Sequence, residues 1–122
     1  MTTEEHIEKA RHNEGFLSSF GDISKISVPF LDWLVTTIFY SALHYVDAIL
    51  ALGNVHPGKH SDRRLGIQRN KDLRVIWKDY RNLEDKSRKA RYTLHGFSNN
   101  DIIQLHNRLN YLKNHILRRI KP

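Results

Sequence analysis

The sequence predicts an all-α fold, a four- to five-helix antiparallel bundle built around a buried second helix. Three observations predict it. Apolar residues recur at intervals of three and four along four separate stretches of the 122-residue chain, which is helical spacing. Two of those stretches open on capping-box patterns, Thr2 with Glu5 and Ser98 with Asp101. No segment alternates with the period of two that a strand requires, and the length fits one domain, residues 1–122.

The first helix starts after Thr2 and runs through Ile7, Ala10, Phe16 and Leu17 to Phe20, with Gly15 weakening its second half. Gly21 and the residues up to Val28 form a connection. Pro29 suits the first turn of the second helix, where a missing N–H costs nothing, and Gly53 is expected to stop that helix near Leu52. Residues 29–52 are long enough to cross a bilayer, but Asp32, His44 and Asp47 are costly in hydrocarbon, so a buried central helix is the expectation. The stretch GNVHPGKHSD, 53–62, has the composition of a loop. Ser61 or Asp62 is then expected to cap a short helical turn through Ile67. From Asp72 the series Leu73, Ile76, Trp77, Tyr80, Leu83, Ala90 and Leu94 predicts a third long helix ending at Gly96. Ile102, Leu105, Leu109, Leu112, Ile116 and Ile120 mark one stripe of the last helix. That stripe reads as core or, because its spacing approaches seven, as half of a subunit interface.

Composition narrows the function classes. The chain has no cysteine, which removes disulfides, cysteine zinc sites and a thiol nucleophile. Its first ten residues alternate acids and bases without an apolar stretch, so no signal peptide is visible and a cytoplasmic location is expected. Twenty Lys and Arg against 13 Asp and Glu leave a net charge of +7, which favours polyanions such as RNA. The basic residues gather in 59–91 and 113–121, with Trp77, Tyr80 and Tyr92 interleaved in the first set. Aromatics among cations can stack bases, although at helical spacing they serve equally as core. No Gly-rich phosphate loop, paired carboxylate site or Ser-His-Asp order is present, and no cofactor is implied.

Several side chains stand out on chemical grounds. On the second helix Thr37, Tyr40, Ser41, His44 and Asp47 step by three or four, giving an apolar helix one polar face. His44 and Asp47 lie three apart and can orient one another by hydrogen bonding, or can belong to a self-satisfied buried network. His56 and His60 invite a metal reading, but Pro57 and Gly58 break the regular spacing and no third ligand is evident beyond Asp62. Lys59, His60, Arg63 and Arg64 are better suited to phosphate. If the second helix faces the segment RYTLH, 91–95, then His44, Asp47, Arg88 and Arg91 converge into a basic pocket.

The second helix reads FYSALHYVDAIL; His60 and Arg63 follow it, and then the series Tyr80, Leu83, Arg88, Arg91 and Tyr92 within a segment ending SRKARY. Over roughly residues 29–120 this pattern resembles the HEPN superfamily of small helical domains, named for higher eukaryotes and prokaryotes nucleotide-binding. The resemblance implies a four- or five-helix bundle that often dimerises. It also implies, in active members, metal-independent RNA cleavage by an Arg followed after four to six residues by a His. Arg88 with His95 and Arg108 with His115 each have that spacing, whereas Arg91 and His95 are closer than the pattern. The expected catalytic group is therefore Arg88, Arg91, His95 and His44, with Asp47, His60, Arg63, Arg64 and Tyr92 as phosphate or nucleotide contacts. In that chemistry the His assists deprotonation of a ribose hydroxyl and the Arg stabilises the phosphate. The expected function is RNA or nucleotide binding by a homodimer without a membrane role, with ribonuclease activity of toxin type as its enzymatic form. The alternative is a non-enzymatic partner of a separately encoded nucleotidyltransferase.

Overall fold

A computed structural model describes residues 1–22, 31–93 and 96–120. Its elements are α1 (Thr3–Ser18), α2 (Leu31–Leu52), α3 (His60–Arg69), a short 3-10 turn (Arg74–Ile76), α4 (Trp77–Tyr92) and α5 (Asn99–Ile120). The fold is all-helical, with no strand among the described residues.

The central helix of the bundle is α2, packed against α1, α4 and α5. Val35, Ile38, Phe39, Ala42, Tyr45, Val46 and Ile49 put apolar surface on several of its sides, so it can be buried by several neighbours at once. By length and composition it also passes as a membrane span, yet most of it is covered by the other helices.

Local signals set the helix ends. Glu5 N–H donates to the Thr2 hydroxyl and Thr2 N–H to the Glu5 carboxylate, the capping box read from the sequence. The expected continuation to Phe20 does not occur. The helix ends at Ser18, and Gly21 adopts a φ of +73°, a left-handed conformation that suits glycine. At the end of α2 it is Asn54, not Gly53, that takes the left-handed position, with φ +59°. Val55 N–H reaches back to the Leu50 carbonyl and Asn54 N–H to that of Ala51, a Schellman closure in which Gly53 is the residue before the turn.

Two further expectations are corrected. Neither Ser61 nor Asp62 caps the helix after the loop; α3 starts at His60 behind an extended Lys59 and runs on to Arg69. An early start puts His60 and Arg63 one turn apart on a single face, and Arg63 is buried there. The long helix expected from Asp72 starts only at Trp77. Asn70 accepts from Asp72 N–H, Leu73 N–H returns to the Asn70 carbonyl, and the 3-10 turn follows before α4 begins at Trp77. Leu73 and Ile76 are fully buried, and a three-residue turn keeps them in line with Tyr80 and Leu83.

Ser98 and Asp101 form the second capping box, and α5 follows. Its stripe of Ile102, Leu105, Leu109, Leu112 and Ile116 is buried inside the chain, where α5 packs on α2 and α4. The alternative of a subunit interface for this stripe is thereby overturned: those side chains are already covered by their own fold.

Candidate functional site

The polar face of α2 meets three helices, and each of its side chains finds a different partner. Asp47 takes a fork from Arg63 of α3, with Nε at 2.7 Å and Nη2 at 2.9 Å, and both residues are buried. Burial alone would lower the Arg63 guanidinium. The hydrogen bonds and charge of Asp47 outweigh that effect and hold it above its usual range. The fork fills the geometry of both groups, so Arg63 anchors α3 to α2.

His44 does not orient Asp47. Its Nδ1 lies 3.0 Å from Nδ1 of His6 on α1, and the two rings tilt against each other with centroids 5.3 Å apart. Burial lowers the pKa of both, and for His44 the neighbouring His6 lowers it further. One nitrogen must donate and the other accept, so at least one ring in the pair is neutral.

Around Glu84 the charges are shared. This carboxylate is 2% exposed and accepts from Arg64 Nε at 2.9 Å and Arg81 Nη1 at 2.6 Å. His60 Nδ1 stands 3.7 Å from its other oxygen and 3.3 Å from Arg63 Nη1. Burial, then the charge of Arg63, pushes the His60 pKa down, against an opposing pull from Glu84. A neutral His60 accepts from Arg63 through Nδ1 and carries its proton on Nε2. The Tyr80 hydroxyl and Ser87 Oγ, on the buried side of α4, have no hydrogen-bond partner among the described residues. Burial and the charge of Glu84 push the Tyr80 phenol well above its ordinary value.

Arg91 lies at the C-terminal end of the same α4 face. It donates to the Tyr40 hydroxyl at 2.8 Å and to the Ser87 carbonyl at 3.3 Å. Its guanidinium sits 5.6 Å from the Tyr40 ring centre and 5.2 Å from that of Tyr92, and among the described residues no carboxylate pairs with it. Tyr92 is 74% exposed. The arrangement is a cation within cation–π range of two aromatic rings, one of them open to solvent, a geometry that accepts a phosphate beside a stacked base.

The sequence-predicted residues fall into three groups. His60, Arg63, Arg64, Asp47 and Arg91 are joined through α2, α3 and α4, with Tyr92 against Arg91. His44 is paired toward α1, and Arg88 is exposed with no ion pair among the described residues. His95 lies outside the described residues, so the Arg88 to His95 spacing has no described geometry. The other spaced pair is divided: Arg108 binds Asp79 at 3.0 Å, and buried His115 donates through Nε2 to the Asp72 carbonyl at 2.6 Å. His56 pairs with Asn54 at 3.1 Å, and among the described residues no three His, Asp or Glu side chains form a metal-holding group.

Sequence reasoning missed Glu84, Arg81 and His6. Glu84 was detectable, because Tyr80, Glu84, Ser87 and Arg91 step by four, three and four along the face that α4 turns inward. His6 likewise falls on the buried stripe of Thr3, Ala10 and Leu17.

Comparison of the chain with protein-family models, with curated protein sequences and with solved structures finds no match.

Proposed function

We propose that this is a HEPN-like helical domain that binds RNA or a nucleotide through the face shared by α2, α3 and α4. The observation that carries the reading is Arg91: a guanidinium with no acidic partner among the described residues, fixed by Tyr40 and flanked by exposed Tyr92. Arg64 extends the positive face along α3, and neutral His60 beside it offers a ring N–H donor, their side chains 31% and 41% exposed. A phosphate docks against Arg91 and Arg64, and a base stacks on Tyr92. The surplus of basic residues over the whole chain favours the same class of ligand.

The test is fluorescence anisotropy with a labelled single-stranded RNA over a range of salt. Binding weakens with salt, and Arg91→Ala reduces the slope of log affinity against log salt by about 1. Arg118→Ala on the far end of α5 leaves it nearly unchanged. Equal losses for both variants would reduce the binding to diffuse charge. The same RNA incubated in EDTA and resolved on a gel separates the ribonuclease form from the partner-domain form, since only the first yields a cyclic-phosphate product. In the second form the same face docks a nucleotidyltransferase.

A further inference from the structure

A second cleft, separate from the Arg91 face, lies where α3 crosses the end of α2. It encloses about 780 Å³. Its floor is Leu50, which is buried, and its walls are Val55 and Leu65, exposed by 43% and 45%. The backbone shapes the floor. A Cβ on Gly66 would lie 3.2 Å from a Leu50 methyl, so α3 rests on Leu50 at a distance only glycine permits without displacement. The Schellman closure at Asn54 then swings Val55 back over Leu50 and completes the apolar wall.

Charge in the cleft is unevenly placed. Arg69, Lys71 and Arg74 gather at the end where α3 finishes, accompanied there by Asp72. Asp62 stands two turns earlier on α3, about 10 Å away by helical rise. Among the described residues none of these five side chains has an ion-pair partner, and Arg74 uses only Nε, on the Gln68 carbonyl at 3.1 Å. A cleft with an exposed apolar wall and unpaired cations at one end matches one kind of ligand, an organic anion whose apolar body is short enough to stop before Asp62.

We infer that this cleft is a binding site for a small amphiphilic anion, its hydrocarbon or aromatic part against Leu50, Val55 and Leu65 and its phosphate or carboxylate on Arg69 and Arg74. The site stands apart from the RNA or nucleotide reading of the α2–α3–α4 face and does not depend on it.

The experiment is amide NMR titration of the full chain with four probes: 2-naphthyl phosphate, 2-naphthoate, inorganic phosphate and neutral 2-naphthalenemethanol. The expected result is saturable shifts at Gly53, Val55, Leu65 and Gly66 with one or both naphthyl anions, at least tenfold tighter than with inorganic phosphate or the alcohol. The relative affinity of the two anions distinguishes a phosphate ligand from a carboxylate one. Arg69→Gln with Arg74→Gln should weaken binding at least fivefold with an unchanged melting temperature, whereas Arg91→Ala should not alter it. Equal binding of inorganic phosphate or of the alcohol, no loss in the double variant, or shifts centred on Arg91 and Tyr92 would each overturn the inference.

Discussion

Arg63 closes its Nε and Nη2 on the two carboxylate oxygens of Asp47, sixteen residues earlier in the chain, and the contact is buried on both sides. It is the polar bolt between α3 and the central helix. Removing one member leaves the other charged, buried and unpaired, so Asp47→Ala should destabilise the fold by about 3–5 kcal/mol. Replacing both members, Asp47→Leu with Arg63→Met, should cost far less, because no orphaned charge remains. Urea unfolding of the two variants checks this, and equal losses would refute it.

Acid should loosen the bundle in a defined window. Burial holds His6, His44, His60 and His106 below the free imidazole value of about 6.5. As pH falls through that value the unfolded chain takes up protons before the native one does. Stability from these groups is therefore complete above pH 6.5 and declines below it. The melting temperature should be flat from pH 8 to 7 and fall between pH 6.5 and 5. His6→Leu with His44→Leu should make that fall shallower; an unchanged slope would place the proton uptake elsewhere.

The stripe of α5 makes a third prediction. Leu109 is fully buried within its own chain, so Leu109→Ala should cost about 2–5 kcal/mol and Leu109→Asp should abolish folding. Circular dichroism with light scattering reads the result. A folded monomer from Leu109→Asp would contradict the internal placement.

Tyr40 tests how Arg91 is held. Tyr40→Phe keeps the ring and deletes the hydroxyl that accepts from Arg91 at 2.8 Å. RNA affinity should fall by about threefold to tenfold, the net worth of one ordinary hydrogen bond, while the melting temperature changes little. Tyr40→Ala, which also removes the ring beneath the guanidinium, should fall further.

What was legible in the sequence was whatever acts locally. Thr2 with Glu5 and Ser98 with Asp101 each close a box within one turn, so spacing alone locates them. The apolar surround of α2 similarly announces a central helix. The late start of α4 was hidden, because the 3-10 turn Arg74–Ile76 preserves the three-residue spacing of Leu73 and Ile76 and mimics the first turn of an α-helix. Site partners were harder to see. Asp47 was paired in sequence terms with His44, its neighbour on the helix, but the stronger claim came from Arg63 across a loop, and His44 turned to His6 on another helix. Contacts between helices depend on how the helices cross, and one chain's spacing does not encode that.

Glu84 sits at the junction of the two demands on this face. One carboxylate, almost wholly hidden from water, serves Arg64 of α3 and Arg81 of α4. Every phosphate that draws Arg64 outward must compete with it. A variant such as Glu84→Gln would release the arginines toward an incoming anion and also unfasten α3 from α4. Affinity and sturdiness are thus set against each other at a single position, and selection for tighter binding there would act against the endurance of the fold.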